Sequence, residues 1–279
     1  MIKARRDFYF QEKFKNMNFN LEDSLRFRLE VALEACWRAG KITLEYFQTG
    51  VQVELKSDRS PVTMADRRAE EEIRSWLTRY FPDDAIVGEE GGRTAPAAGS
   101  ETTWYIDPID GTKSFVCGVP FYGALLACER QGRVVLGVAH FPALDETVWA
   151  VQNAGCYWNG RRARVSEVNK LDEAVLLTTD FYRLEAMGFS QALDTLCRAT
   201  KLQRTWGDAY GHILVATGRA EIMLDPKMAV WDNGPLLPIL EEAGGRFTDW
   251  QGNATIHADN AFSTNGHLHE VVKRILQGE

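Results

Sequence analysis

Residues 104–115, with the sequence WYIDPIDGTKSF, constrain the fold of this chain more than any other stretch. The segment begins with apolar, β-prone residues that predict a buried strand, and then supplies two aspartates, a proline, a glycine and a hydroxyl residue. Carboxylates that converge at the end of a buried strand repel one another and take up protons unless a cation neutralises them. The segment therefore indicates a site for a hard, oxygen-seeking cation.

The composition is that of an ordinary soluble globular protein: 279 residues, 45% hydrophobic and 25% charged. A net charge of -7 and a pI near 5.4 argue against a general binder of nucleic acid or of anionic membranes. The five cysteines are scattered and lack a C-x-x-C spacing, so we expect neither a disulfide framework nor a zinc knot, and a cytoplasmic location fits. Neither a membrane span nor a secretory signal is visible.

The apolar periodicity predicts three regions. Residues 1–18 form a basic and aromatic N-terminal extension, either a frayed tail or a docking arm. Residues 19–160 form an α+β half, in which two amphipathic helices near 21–49 and 63–80 precede short strands and an antiparallel sheet. In residues 161–279 strands and helices alternate, which indicates an α/β layered half.

One helix of the second half is expected just after residues 230–235 (VWDNGP). We expect Asp232 to be its N-cap, Pro235 to lie in its first turn and Gly244 to end it. Pro238 lies later than a first-turn proline should, so we expect a short or distorted first turn.

Acidic residues at predicted strand ends or helix starts form one candidate site: Glu89, Asp107, Asp110 and Asp232, with Asp66 and Glu90 in reserve. Asp107 and Asp110 flank a proline-stiffened turn, so both side chains and the Ile109 carbonyl can face one point. Thr112 adds a hydroxyl oxygen. Because the set is all oxygen, without His or Cys, it suits Mg²⁺ rather than Zn²⁺.

Such a site suits phosphate chemistry. Two or three Mg²⁺ ions could bind a phosphate oxygen, lower the pKa of a bound water and stabilise the leaving oxygen. Phosphate-monoester hydrolysis needs accelerations approaching roughly 10²¹, beyond what general acid-base catalysis alone supplies. The backbone N–H groups of Gly111 and Thr112 would also suit a phosphate if a helix starts there. For Asp66 a structural role stays open, since Thr63 and Asp66 match a capping box.

Three sequence blocks resemble the signature blocks of the inositol monophosphatase superfamily, in their usual order: residues 88–90 (GEE), residues 107–115 (DPIDGTKSF), and Trp231-Asp232 with residues 242–245 (EAGG). The resemblance runs from about Leu21 to the C-terminus. It implies an α-β-α-β-α layered sandwich and a homodimer. It also implies Mg²⁺-dependent, often lithium-sensitive hydrolysis of a small phosphorylated metabolite.

The same resemblance implies roles for individual residues. The first metal would be held by Glu89, Asp107 and the Ile109 carbonyl, with Thr112 nearby. The second would be held by Asp107, Asp110 and Asp232, and Glu89 would help to hold a third. The nucleophilic water would lie near Glu89 and Thr112, with Asp66 polarising the Thr112 hydroxyl. Lys56 falls where the family often has a basic residue near the site.

Several features resemble the histidinol-phosphatase branch of the family: Lys113, residues 118–120 (GVP), residues 206–208 (WGD) and residues 264–269 (TNGHLH). Histidinol phosphate carries a cationic amine and an imidazole, so acidic side chains at the rim would favour it. Asp225 occupies a position that contacts substrate in this family. Asp208 has a comparable claim, although it could instead cap a helix that begins near Tyr210.

Two alternatives to a histidinol phosphatase stay open. One is an inositol-1-monophosphatase. The other is a family member with a binding or regulatory role, since some members also interact with the transcription machinery. The basic extension, residues 1–18, is the only sequence feature that favours the binding role.

Overall fold

The structure is a computed structural model that describes residues 22–56 and 61–279, so the predicted N-terminal extension lies outside the described residues. The helices are α1 (Asp23–Tyr46), α2 (Met64–Tyr80), α3 (Thr112–Val116), α4 (Phe181–Ala186), α5 (Ser190–Ala199), α6 (Asp208–Ala216), α7 (Val230–Glu242) and α8 (His269–Leu276). Two 3₁₀ helices span Pro142–Leu144 and Leu171–Glu173.

Fifteen strands are described: β1 (Val53–Leu55), β2 (Pro61–Thr63), β3 (Ala85–Gly88), β4 (Gly92–Thr94), β5 (Thr102–Asp110), β6 (Gly123–Arg130), β7 (Arg133–Phe141), β8 (Glu146–Val151), β9 (Gly155–Trp158), β10 (Arg161–Arg162), β11 (Val175–Thr178), β12 (Leu202–Arg204), β13 (Ile222–Asp225), β14 (Arg246–Thr248) and β15 (Ala261–Thr264). Strands β1 and β2 form an antiparallel pair of their own.

The larger sheet has eight strands in the order β10-β9-β8-β7-β6-β5-β3-β4. From β10 to β5 each neighbour is antiparallel, as predicted for the sheet within residues 19–160, whereas β3 and β5 run parallel. The parallel pair places the carboxyl ends of β3 and β5 at the same edge of the sheet.

The smaller sheet has five strands in the order β12-β11-β13-β15-β14. Strands β12, β11 and β13 are parallel, and β15 is antiparallel to both of its neighbours. Here too the carboxyl ends of the parallel strands lie at one edge.

Three apolar clusters join the elements into five layers. The first packs α1 and α2 on one face of the larger sheet. The second places α6 and α7 between the two sheets, and the third packs α5 and α8 on the outer face of the smaller sheet. The predicted α-β-α-β-α layered sandwich is therefore confirmed, with α+β elements in the first half and α/β elements in the second.

Helix α7 differs from the sequence expectation. It begins at Val230, so Asp232 is its third residue and not its N-cap, and α7 runs through both Pro235 and Pro238. The Asp232 carboxylate accepts a hydrogen bond of 2.7 Å from the Ala229 N–H and thus still satisfies a free donor at the helix start. The backbone of Pro235 lies directly against Gly137 of β7. A Cβ at position 137 would clash with the Pro235 backbone. Tertiary packing against the sheet therefore compensates for the missing proline N–H groups.

The described helices are each too short or too polar to span a lipid bilayer.

Candidate active site

The parallel pair β3 and β5 builds the first part of the site. Glu89 follows β3, and its backbone N–H donates a 3.1 Å hydrogen bond to the carbonyl of Ile106 in β5. Asp107 is the next residue of β5, so Glu89 lies beside Asp107, at the point where the regular part of β5 gives way to its last residues. The pairing of β5 with β6 is irregular between Asp107 and Asp110, where the strand bulges next to the site.

The bulged segment is held by local hydrogen bonds. The Asp107 carboxylate accepts a bond of 2.9 Å from the Ile109 N–H, and the Thr112 hydroxyl donates a bond of 3.0 Å to the Ile109 carbonyl. Gly111 has a φ of 76°, in the left-handed region that favours glycine, and it caps α3. Helix α3 thus begins at Thr112, the condition under which the N–H groups of Gly111 and Thr112 could bind a phosphate.

Three aspartates converge beside this turn. Asp107, Asp110 and Asp232 each offer a carboxylate oxygen, and these oxygens lie within 4.8 Å of one another. We call these residues the aspartate cluster. Asp110 also accepts a 2.8 Å hydrogen bond from the Ala209 N–H in the first turn of α6. The cluster therefore joins a strand of the larger sheet to two helices of the middle layer.

The carboxyl groups of the cluster have raised pKa values. Burial, followed by repulsion from Glu89, Asp232 and Asp110, raises the pKa of Asp107 well above its ordinary value. Burial, followed by repulsion from Asp208 and Asp232, does the same to Asp110. Burial raises the pKa of Asp232 to about 7. Without a counter-charge these groups therefore hold protons that a cation could displace.

Among the described residues, Glu89 lies outside the group of converging carboxylates that forms the aspartate cluster. Its carboxylate accepts a 2.7 Å hydrogen bond from the Lys56 ammonium, which also contacts the Glu90 carboxylate. Lys56 therefore lies beside the site, as the resemblance implied. Glu89 is still close enough for its charge to raise the pKa of Asp107.

Asp66 has the capping role that the sequence left open. Its carboxylate accepts bonds of 2.7 Å from both the backbone N–H and the hydroxyl of Thr63 at the start of α2. Burial raises the Asp66 pKa to about 6. Within residues 22–56 and 61–279 the Thr112 hydroxyl donates to Ile109 rather than to Asp66, so the proposed polarisation of Thr112 stays a prediction.

A second group of residues faces the cluster from the C-terminal half. Asp208 is the first residue of α6 and Gly207 is its N-cap, so the N-cap alternative for Asp208 is wrong. The φ of Asp208 is 54°, in the left-handed region that non-glycine residues rarely adopt. The Asp208 carboxylate accepts a 3.4 Å hydrogen bond from the Ser114 hydroxyl. Asp225 ends β13 and accepts a 2.8 Å bond from the Thr179 hydroxyl.

These residues surround a cavity of about 230 Å³. Its lining combines predicted site residues (Glu89, Asp110, Gly111, Thr112, Asp208, Asp225 and Asp232) with others that include Lys113, Thr179, Asp180, Arg183, Lys227 and Met228. We call Thr179, Asp180, Asp208 and Asp225 the C-terminal wall. The sequence interpretation missed Thr179 and Asp180, although both directly follow β11 just as Glu89 follows β3.

The donor set suits Mg²⁺. The aspartate cluster supplies carboxylate oxygens alone, and the Ile109 carbonyl has a second lone pair that a cation could use. Burial and mutual repulsion destabilise the charged form of all three cluster carboxyls. A divalent cation would remove that penalty.

Comparisons with known proteins agree with this geometry. The model of the inositol monophosphatase family matches residues 24–278. The histidinol-phosphatase of Chlorobaculum parvum is 42% identical over 245 residues, which cover 85% of this chain and 94% of that protein. The histidinol-phosphatase of Mycobacterium tuberculosis is 35% identical, covering 90% of this chain and 98% of its own length.

Solved structures show the same similarity. The IMPase of Thermotoga maritima superposes with a TM-score of 0.81 at 32% sequence identity, over 92% of this chain and 98% of that one. The family match extends over nearly the whole chain, and the relatives described here are two histidinol-phosphatases and an IMPase. The chain therefore belongs to the inositol monophosphatase family and is a phosphoric monoester hydrolase.

Proposed function

We propose that this protein hydrolyses L-histidinol phosphate to L-histidinol and phosphate, the phosphatase step of histidine biosynthesis, with Mg²⁺ as its cofactor. The identity of 42% with a histidinol-phosphatase, over nearly all of that protein, is the observation that favours this substrate. The acidic C-terminal wall supports it on chemical grounds, because the alcohol carries a cationic amine.

The metal would be held by Asp107, Asp110 and Asp232, with the Ile109 carbonyl and Glu89 as further oxygen ligands for two to three ions in total. Mg²⁺ supplies the positive charge that neutralises these carboxylates and withdraws electrons from the phosphate oxygens. The proposed contribution of Glu89 and Thr112 is to orient the attacking water, with Asp66 acting through Thr112.

The phosphate would lie against the start of α3. The N–H groups of Gly111 and Thr112 belong to the N-terminus of α3, where free donors would stabilise an anion. Asp110 lines the same cavity and would contribute to this phosphate site. The phosphate would thus be bound by backbone groups and cations, while the alcohol extends toward the C-terminal wall.

The alcohol would be recognised by Asp208 and Asp225. Burial raises the pKa of Asp208, whereas the nearby Lys113 ammonium and the Ser114 hydroxyl favour its charged form. A substrate ammonium would provide a further positive charge beside both carboxyls. A neutral polyol would not provide this positive charge beside the two carboxyls.

A phosphate-release panel tests the substrate. Histidinol phosphate, inositol 1-phosphate, a nucleotide 3′,5′-bisphosphate and fructose 1,6-bisphosphate are compared at equal Mg²⁺ concentration. We expect the highest kcat/KM for histidinol phosphate. Comparable values for all four substrates would contradict the assignment.

Inositol 1-phosphate is the second candidate. The 32% identity with the Thermotoga maritima IMPase favours it, and Asp225 could accept hydrogen bonds from ring hydroxyls as well as from an amine. A higher kcat/KM for inositol 1-phosphate than for histidinol phosphate would select this alternative.

Several further properties are proposals taken from the family: a homodimer, inhibition by lithium, a cytoplasmic location and no binding of nucleic acid or membranes. A binding role of residues 1–18 is a separate possibility. It predicts that deletion of these residues abolishes partner capture and leaves phosphate release unchanged; unchanged capture would contradict it.

A further inference from the structure

Helix α2 contains a buried glutamate outside the residues discussed so far. Three successive glutamates occupy positions 70–72, yet Glu71 is exposed and Glu70 is only 2% exposed. A buried carboxylate is costly unless it is hydrogen-bonded and paired with a cation. Glu70 therefore needs a structural or functional reason.

The Glu70 carboxylate binds the loop that carries Glu89. One of its oxygens accepts a 2.7 Å hydrogen bond from the Glu90 N–H, and the other accepts a 2.8 Å bond from the Gly91 N–H. On its other side, the Glu89 N–H is bonded to Ile106 of β5. The backbone on both sides of the Glu89 side chain is thus held by hydrogen bonds.

Arg74 completes the arrangement one turn further along α2. Its Nε donates a 2.6 Å hydrogen bond to Glu70, and its guanidinium also contacts the Gly92 carbonyl and the Thr94 hydroxyl. The cation both compensates the buried charge and ties β4 to the helix. Glu70 and Arg74 together therefore fix the turn between β3 and β4 relative to α2.

The glycines of this turn fit the same interpretation. A Cβ added at Gly91 would lie 2.7 Å from the Glu70 carboxylate, and one added at Gly88 would also overlap it. Gly88 and Gly91 therefore leave the space in which the Glu70 carboxylate lies directly against the backbone of this segment.

We propose that Glu70, supported by Arg74, is a positioning residue that holds Glu89 where it can bind the metal. This inference rests on the metal-dependent function proposed above, but not on which alcohol is released. Groups that orient metal ligands commonly change metal affinity by about 10- to 100-fold when they are replaced.

The test is a Mg²⁺ titration of the metal-free protein by calorimetry, with Glu70→Gln as the variant and Glu71→Gln as its control. Glutamine keeps one acceptor oxygen but presents an N–H donor to a backbone N–H, so one of the two loop bonds is lost. We expect Glu70→Gln to weaken Mg²⁺ binding about tenfold. Glu71→Gln, exposed on the same helix, should bind as the unmodified protein does.

Unfolding in EDTA separates positioning from general stabilisation. A lower Tm for Glu70→Gln together with unchanged Mg²⁺ affinity would overturn the proposal. If Glu70→Gln does not fold, Arg74→Gln replaces it, and a smaller loss of Mg²⁺ affinity is expected; no loss would overturn the proposal. Because the titration uses no substrate, failure of the histidinol phosphate assignment would appear only in the phosphate-release panel.

Discussion

The aspartate cluster, through Asp110 and Asp232, lines the same cavity as the C-terminal wall, yet the two groups differ in how they are built. The cluster combines Asp107 and Asp110, close together in sequence, with Asp232 at a helix start, and the three converge within 4.8 Å. The wall collects Thr179, Asp180, Asp208 and Asp225 from the ends of two strands and the start of α6, and Arg183 and Lys227 line the cavity beside it. The cluster is suited to holding cations, which determines the reaction. The wall is acidic, with two cationic side chains beside it, and is suited to selecting the alcohol.

Replacing Asp110 by Asn gives the largest effect expected from this comparison. The change removes a charge from the aspartate cluster while keeping the shape and an acceptor for the Ala209 N–H. We expect kcat to fall by at least about 10²- to 10³-fold, the scale seen when one group that stabilises transition-state charge is removed. Steady-state phosphate release at saturating Mg²⁺ measures it.

The matched control is Asp194→Asn, which neutralises an exposed aspartate on α5. It should leave turnover unchanged. In the absence of Mg²⁺ the Asp110→Asn protein should unfold at a Tm no lower than that of the unmodified protein, since a buried repulsion is removed. Nearly full activity in Asp110→Asn would refute the role of the cluster.

Replacing Asp208 by Asn tests whether the C-terminal wall selects the alcohol. We expect kcat/KM for histidinol phosphate to fall about tenfold or more, because a hydrogen bond to a charged group contributes about 1.5–3 kcal/mol. Inositol 1-phosphate, which has no amine, serves as the control substrate and should be affected less. Equal losses for the two substrates would mean that Asp208 does not select the alcohol.

The same variant should weaken metal binding only slightly. The Asp208 charge raises the pKa of Asp110 by favouring positive charge near that carboxylate, and it attracts a nearby cation for the same reason. We therefore expect Mg²⁺ to bind Asp208→Asn more weakly than the unmodified protein, by less than about tenfold. Calorimetric titration measures the affinity, and a loss well above about 100-fold would place Asp208 among the metal ligands instead.

The smallest expected effect is a pH dependence of the metal-free protein. The pKa of Asp232 rises from 3.8 to about 7 on folding, so its contribution to stability is present below pH 3.8 and is lost as pH rises through about 7. In EDTA, Tm should fall between pH 5 and pH 8 by more in the unmodified protein than in Asp232→Asn. Equal falls in Tm would show that Asp232 makes no pH-dependent contribution to stability. Mg²⁺ should restore Tm at pH 8.

The sequence predicted the cluster better than the wall, for physical reasons. Asp107 and Asp110 stand beside a proline and a glycine at the end of an apolar run, a pattern that few other functions explain. The capping box of Thr63 and Asp66 was likewise readable from neighbouring residues, whereas a helix start at Thr112 was only a condition in the sequence interpretation. Each of these features depends on local sequence alone.

Features that depend on tertiary contacts could not be predicted. Helix α7 includes Pro235 and Pro238 because its backbone packs against Gly137, which is far away in sequence. The left-handed backbone of Asp208 and the contact of Glu70 with the loop after β3 also need the folded chain. Strands β9 and β10, of four and two residues, are too short for a periodic pattern.

The most direct test of the division between cluster and wall is the ratio of kcat/KM for histidinol phosphate to kcat/KM for inositol 1-phosphate, measured in the unmodified protein at saturating Mg²⁺. We expect a ratio of at least about ten, equivalent to about 1.4 kcal/mol of selectivity. We further expect no phosphate release from either substrate in EDTA. A ratio at or below one, or turnover that persists in EDTA, would contradict the account.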